Sequence, residues 1–307
     1  MQLTWQVTLI GLELLTGALW AGAILALIAA GMRLLRDVAG IINLGQGEYV
    51  MLGGFITLAL ARAGMPLLPA LPLAALAVAI FGWALQRLLL WRVARAGPAL
   101  SLLATFAVAL FLQQLMLAVF GASVHITENG ASATFLLDGL IMLPLAGLLT
   151  VGISLLMLLA LKLFLRKTAP GQAMLRAARD NAAPCAWQMP RPRHVNRRLA
   201  DMAHAINGAL CGAAGALLVT GWAIHPFMGL PYTLRAFIVA SLAAPSGLPL
   251  TFLAASGLSL AEQLAALLLH GAFPMTVLLV LLMGALIACR FLPAMRRHAG
   301  QYGARIS

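Results

Sequence analysis

Apolar runs long enough to cross a bilayer recur along this chain, and they leave it few ways to fold. A hydrocarbon core of about 30 Å takes roughly 20 helical residues. Stretches of that kind lie at Val7 to Met32, Gln46 to Ala61, Pro66 to Leu90, Ala99 to Phe120, Gly139 to Leu165, Met202 to Trp222 and Ala272 to Cys289. Lipid offers backbone amides no water to bond, so each such run is expected to close its hydrogen bonds within a helix. Composition agrees: 63% of the 307 residues are apolar and 9% charged, with a mean hydropathy of +0.99, where soluble domains average about 45–50% and 25%. A soluble enzyme, a disordered tail and a disulfide scaffold are excluded. The expectation is all-α, one polytopic membrane helix bundle, with residues 1–307 forming a single transmembrane domain.

Charge then orients the bundle. The formal charge of +12 comes from basic residues placed in short segments between apolar runs, a pattern of membrane topology, and no nucleic-acid partner is expected. Arg33 and Arg36 follow the first span, Arg87, Arg92 and Arg95 the third. Eight basic residues lie from Arg166 to Arg198, and Arg290, Arg296, Arg297 and Arg305 lie near the end, while the opposite loops hold little beyond Arg62. Short cytoplasmic loops are enriched in Lys and Arg, which predicts the N-terminus outside and the C-terminus in the cytoplasm. The C-terminus reaches that side only if Leu230 to Leu269 enters and leaves on one face. That stretch is broken by Ala244-Pro245-Ser246-Gly247-Leu248-Pro249, and each half reads as too short to span. Seven spans plus a re-entrant hairpin of two half-helices are therefore expected, or eight spans if both arms cross. No basic residue precedes Arg33, so the first run lacks the n-region of a signal peptide and is expected to remain as a membrane helix.

Chemistry-bearing motifs are sparse. Cys185, Cys211 and Cys289 include no close pair, and the six histidines are scattered singly, so neither a disulfide framework nor a metal site is expected. No phosphate-binding G-x-x-x-x-G-K-[ST] loop, H-E-x-x-H or nucleophile-base arrangement occurs. The chain is expected to be no enzyme and to bind no cofactor itself.

Polar residues inside the apolar runs are the remaining candidates. On a helix, Asn43, Gln46, Gly47, Val50, Gly54 and Thr57 share one stripe at the entry to the second span. Two readings stay open: close helix packing with amides bonding across the interface, or the border of a substrate path. Glu48 points away from that stripe and is expected to partner a backbone or basic group, since a carboxylate in lipid needs one. Glu13, Thr16, Thr105, Gln113, Gln114 and Asn207 read mostly as interhelical hydrogen-bonding groups. Arg235 and Glu262 flank the hairpin, together with Ser246 at its turn, and its two arms are able to bring the opposite charges together.

The longest polar segment, residues 166–198, is the sizeable cytoplasmic feature. Its core, Gly171-Gln172-Ala173-Met174-Leu175-Arg176-Ala177-Ala178-Arg179-Asp180-Asn181, reads as a short helix stopped by Pro184 and Pro190. It is either a basic surface lying on anionic headgroups or a docking helix that offers Met174 and Leu175 beside Arg176 and Arg179 to a partner.

The run Gly40-Ile41-Ile42-Asn43-Leu44-Gly45-Gln46-Gly47-Glu48-Tyr49-Val50-Met51-Leu52-Gly53-Gly54 closely resembles the early motif of LivH-type permeases of branched-chain amino acid ABC transporters. The likeness continues in order through Gly171 to Ala183, Ala213 to Leu218, Pro226-Phe227-Met228-Gly229-Leu230, Leu234-Arg235-Ala236-Phe237 and Ala261-Glu262. It implies a permease subunit of an ABC importer in the bacterial cytoplasmic (inner) membrane. The implied partners are a second homologous permease, as a hetero- or homodimer, two cytoplasmic ATPases that use ATP, an extracytoplasmic solute-binding protein and the lipid bilayer. It implies ATPase coupling through Gly171, Leu175, Arg176, Ala177, Arg179, Asp180 and Asn181. Departures from the family pattern fall around the hairpin: Ala243-Ala244 stands where a glycine pair is usual, Ser246-Gly247 and Pro249-Leu250 replace Gly-Ser and Pro-Gly, His225 replaces Asn, and Arg235 replaces Lys. Branched-chain or related amino acids are the implied substrates, with urea or short amides as the alternative within the family. An ion-coupled secondary transporter is the reading from another class, and its usual sign, several carboxylates along one path, is missing.

Overall fold

The computed structural model describes residues 2–94, 97–126, 134–137, 141–180, 196–243, 247–268, 280 and 283–284. In chain order the helices are α1 (Gln2–Ala39), α2 (Gln46–Arg62) and α3 (Leu67–Leu85), which runs through a π-helical turn (Gln86–Leu90) into α4 (Trp91–Ala94). They continue with α5 (Pro98–Phe120), α6 (Leu145–Lys167), α7 (Ala169–Asp180), α8 (Arg197–Leu218), α9 (Gly229–Leu242) and α10 (Leu248–Leu268). Between α5 and α6 lies one antiparallel pair, β1 (Thr134–Leu137) and β2 (Ile141–Pro144), registered Thr134 to Pro144 and Leu137 to Ile141. Helix therefore dominates, as the composition requires.

Five of these helices are long and apolar enough to cross a membrane: Gly11–Ala39, Leu67–Ala94, Ala99–Phe120, Leu145–Lys167 and Leu248–Leu268. The first is the central one, with 61% of its apolar window buried against 22% in each of the others. Leu76 and Ile80 of α3, Phe111 of α5 and Leu156 of α6 are exposed, as side chains facing lipid tails are. Helix ends follow local chemistry. Gly40 stops α1 with φ 67°, donating its N–H to the Arg36 carbonyl at 2.9 Å, because the left-handed C′ position favours a residue without Cβ. Asn196 caps α8 by accepting from the Arg198 N–H at 3.0 Å.

Three expectations from sequence need correction. The helix of the fifth apolar run begins only at Leu145, because Pro144 pushes the preceding residue out of the helical region and Ile141–Pro144 pairs as a strand; Gly139 lies outside the described residues. The sixth helix starts at Arg197, five residues before the apolar run, where Asn196 supplies a cap. The two arms after residue 229 are unequal: α9 has 14 residues, whereas α10 has 21 and at 1.5 Å per residue is about 31 Å long. The second arm is thus no half-helix. Residues 244–246 of the turn, with Ser246, lie outside the described residues, as do residues 272–279 and Cys289 of the last apolar run.

The bundle is assembled around α8, which packs against α1, α2 and α3. Glycines line each contact. Gly208 lies against the backbone of Val78 and Ala79, Gly212 against Ala74, Val78 and Gly53, Gly215 against Val50 and Gly54, and Gly31 of α1 against Asn207. These neighbours make α3 and α1 antiparallel to α8 and α2 parallel to it. On α1, Gly17 faces Gln263 and Gly22 faces Ser256, so α10 runs antiparallel to α1. Small residues let helix backbones approach where lipid supplies no hydrophobic drive.

The glycine packing carries a prediction. A Cβ at Gly212 would fall 2.8 Å from the Ala74 carbonyl and 2.9 Å from Val78 Cβ, whereas one at Gly152 meets nothing within 4 Å. Gly212→Leu is expected to cost about 1–3 kcal/mol of unfolding free energy in detergent by overpacking. Gly152→Leu should stay within about 0.5 kcal/mol of the wild type in the same denaturant titration.

Candidate translocation site

The second helix begins inside the bundle, and that placement creates the polar centre. Gln46, its first residue, donates from Nε2 to the Ile28 carbonyl at 3.0 Å and to Asn207 Oδ1 at 2.7 Å, with Cys211 Sγ 3.1 Å away. Ile28 lies 11 residues before the end of α1, so residues 40–45 return about 16 Å alongside it before α2 starts. That returning segment is not helical, and its polar groups find partners. The Gly45 N–H donates to Asn43 Oδ1 at 2.9 Å, an Asx-type turn, and the Leu44 N–H donates to Thr105 Oγ1 of α5 at 3.3 Å.

A second helix start meets the first. Gly229, at the head of α9, lies against Gly47, and a Cβ on either glycine would collide with the facing residue. Thr233, one turn into α9, accepts the Gly47 N–H at 2.8 Å and has the carbonyls of Leu44 and Gly229 each 3.3 Å away for its own proton. One hydroxyl thus ties the returning segment, α2 and α9 together. The Glu48 carboxylate is pressed against Gly229; its Oε2 is buried and accepts no hydrogen bond among the described residues. It lies in the first turn of α2, where the helix dipole favours negative charge.

The stripe residues therefore meet protein in this conformation. Asn43 and Gln46 are buried, Gly47 packs on Gly229, Gly54 on Ile224 and Gly215, and Thr57 turns its hydroxyl back to the Gly53 carbonyl at 2.9 Å. Glu48, expected to partner a backbone or basic group, lies against Gly229 as Gly47 does, and its Oε2 accepts no hydrogen bond among the described residues. Gln114 is exposed and Gln113 half-buried on α5, and neither reaches another helix through a described hydrogen bond. Thr233 and the fully buried Tyr49, whose ring meets Phe81 edge-on at 5.5 Å, are the central residues that sequence reasoning passed over. The signal for Thr233 was available: a threonine four residues after a glycine, beside a hairpin residue already singled out.

The charged pair lies elsewhere. Arg235 of α9 donates from Nε to both oxygens of Glu262 on α10, each at 3.0 Å, and the guanidinium lies 5.4 Å from the Tyr232 ring centre. Beside them is a cavity of about 370 Å³ between α1, α8, α9 and α10.

The polar segment after α6 forms α7, held onto the bundle by one face. Met174 is fully buried, Leu175 packs against the core, and a Cβ on Gly171 would strike the backbone of Phe164 and Leu165. Of the two apolar residues that a docking helix would offer to a partner, Met174 is instead buried in the core, while Leu175 remains half-buried. Gln172, Arg176 and Arg179 are exposed, with Ala177 half-buried between the two arginines. Asp180 is the last helical residue; Asn181, with the stretch to residue 195, lies outside the described residues.

The contact between Glu48 and Gly229 makes a quantitative prediction. Gly229→Ala should destabilise the wild type more than it destabilises Glu48→Ala. A double-mutant cycle read by chemical unfolding is expected to give a coupling of about 1 kcal/mol or more, and additive effects would remove the contact.

Residues 14–290 match the family described as branched-chain amino acid transport system, permease component. The high-affinity branched-chain amino acid transport system permease protein BraD of Pseudomonas aeruginosa is 26% identical over 272 residues, 83% of this chain and 86% of that protein. The corresponding LivH of Escherichia coli (strain K12) is 24% identical over 267 residues, 79% of this chain and 82% of LivH. No solved structure matches.

Proposed function

Because the chain belongs to the branched-chain amino acid transport permease family, we propose that it is the membrane subunit of an ABC importer. It moves branched-chain or related amino acids across the bacterial inner membrane, and separate ATPase subunits supply the energy. The observation that carries this reading is the family match, which runs through nearly the whole chain, from residue 14 to residue 290. In the complex, a second related permease completes the path, an extracytoplasmic binding protein delivers the substrate and two ATPases dock on the cytoplasmic side. The N-terminus lies outside, and α2 and α8 join the five more apolar helices as membrane-crossing elements.

The residues divide the work mechanically. Arg176 and Arg179 face outward from α7, which packs against α1, α6 and α8 with Met174 buried in the core. An ATPase gripping that basic face therefore moves the bundle and not a loose loop. Transport then requires two arrangements of the bundle whose relative stability the ATPases change. The joint where Gly47, Glu48, Gly229 and Thr233 meet is where α2 and α9 separate when the path opens, exposing the Gly47 end of the stripe to the substrate. Few bonds hold that joint, chiefly the Thr233 hydroxyl, so parting it is inexpensive.

The test is reconstitution. ATPase activity of the complex that co-purifies with this chain, in proteoliposomes, should rise several-fold on addition of leucine-loaded binding protein. Arg176→Glu with Arg179→Glu should abolish the stimulation and leave the unfolding profile of the permease unchanged. Failure of any ATPase to co-purify in several mild detergents would overturn the importer. A second variant addresses the path: Asn43→Leu with Gln46→Leu should reduce leucine uptake at least about tenfold at equal protein level, the cost of losing one hydrogen-bonded contact or more, and unchanged uptake would leave the stripe with packing alone.

A further inference from the structure

The cavity beside the Arg235 and Glu262 pair has the makings of a ligand site. Its volume, about 370 Å³, falls within the range of small-molecule sites, roughly 300–1,000 Å³. One wall is apolar, formed by Ile24 and Leu25 of α1 with Leu218 and Trp222 from α8 and the turn after it. The other is polar and dipolar, formed by Arg235, Glu262, Ser259 and Gln263.

The geometry of the ion pair argues that it does more than join two helices. A guanidinium usually grips a carboxylate through two parallel N–H groups. Here Nε alone serves both oxygens of Glu262, and the two Nη groups make no hydrogen bond among the described residues. Neither side chain is sealed: Arg235 keeps 26% and Glu262 20% of its side-chain surface exposed, and both line the cavity. The pair therefore presents unused N–H donors beside unused carboxylate lone pairs, next to an apolar wall.

Charge balance leaves neutral or zwitterionic ligands, and the facing charges of Arg235 and Glu262 favour the zwitterion over a neutral amide. The pair carries no net charge, so a cation or an anion entering alone would bring an uncompensated charge into a low-dielectric site. A zwitterion brings none. Its carboxylate sits on the free Nη groups and its ammonium on Glu262, so the four charges alternate around a ring, and an aliphatic side chain lies against Ile24, Leu25, Leu218 and Trp222. We propose that this cavity is a recognition site for a small zwitterion with an apolar side chain, an α-amino acid of the leucine class. The proposal rests on the importer reading and specifies where the permease itself checks the substrate. With the N-terminus outside, the Gly17 to Leu25 part of α1 places the site toward the extracytoplasmic half, near where a binding protein releases its load.

The experiment uses the full chain in phosphatidylcholine nanodiscs and photo-leucine, an amino acid with a diazirine side chain. Peptides from residues 17–25 and 259–263 are expected to carry the label. Free leucine should compete, whereas 3-methylbutylamine and 4-methylpentanoate, which each keep one of its charges, should compete at least about tenfold more weakly, a difference of about 1.4 kcal/mol. Arg235→Met with Glu262→Met removes both charges while keeping apolar bulk, a change that buried ion pairs often tolerate, and it should lower labelling at least about tenfold. Arg235→Glu with Glu262→Arg keeps the pair in reverse and should retain the label, which covers the case in which the methionine variant does not fold. Equal competition by the amine or the acid, or labelling indifferent to the double methionine change, would overturn the proposal. So would labelling blocked by phosphatidylethanolamine nanodiscs and not by leucine, which would make this a headgroup site. Co-purification of the ATPases separates the two levels: a complex stimulated by loaded binding protein whose permease takes no specific label refutes this site and leaves the importer standing.

Discussion

Everything in this bundle depends on how closely α8 lets its neighbours approach. Lipid tails are as apolar as leucine, so helices in a membrane gain little from burying apolar surface against one another and adhere by contact, with hydrogen bonds where polar groups meet. Gly208, Gly212 and Gly215 bring α3 and α2 to backbone distance on two sides of α8, and Gly31 of α1 makes room for Asn207. That room is what allows Asn207 to reach Gln46 at 2.7 Å. Enlarge the glycines and the polar centre loses its geometry, because amide bonds act only over short range.

The polar centre in turn rests on two helices that start within the protein. Non-helical backbone at membrane depth survives only where protein or a polar cavity answers its N–H and C=O groups. Residues 40–45 meet that condition through Asn43, Thr105 and Thr233. The arrangement concentrates unsatisfied polarity in one place: Asn43 Nδ2, Gln46 Oε1, Glu48 Oε2 and the Tyr49 hydroxyl are buried without a hydrogen-bond partner among the described residues. A packed junction that leaves several polar atoms wanting is a natural place for an alternative arrangement of the same residues.

Much of this was legible in the sequence. Apolar length gave α5 nearly to the residue and located α3, since lipid imposes the length requirement directly, whereas α1 runs from Gln2 to Ala39, past the Val7 to Met32 run at both ends. The same signal misplaced the start of α6, because four apolar residues before a proline suit a strand as well as a helix. From Gln46 to Thr57 the stripe lies along α2, whereas Asn43 sits in the non-helical segment before it, and helical periodicity carries no information about which neighbour covers the stripe. That neighbour is α8, some 160 positions later in the chain. Arg235 and Glu262 stood out as charges in an apolar context. Their single-nitrogen contact and the cavity beside it depend on the tilt of two helices and have no sequence signature. Met174 shows the opposite failure: an apolar residue in a basic segment looked like a partner contact, and a nearby core took it instead.

The corner between α6 and α7 is a single residue. Thr168 donates from Oγ1 to the Phe164 carbonyl at 2.7 Å and accepts the Gly171 N–H at 3.1 Å, while its carbonyl takes the Gln172 N–H at 2.9 Å. A joint bonded on both sides has little freedom to flex, so α6 and α7 form the two limbs of a bell crank. A sideways stroke at the short basic limb emerges as a swing of the long apolar one. Over the 23 residues of α6, about 34 Å at helical rise, a small angle at the corner becomes a displacement of several ångströms at the far end. Force entering at one face of the membrane can thus be felt at the other without any residue along the way changing its partners.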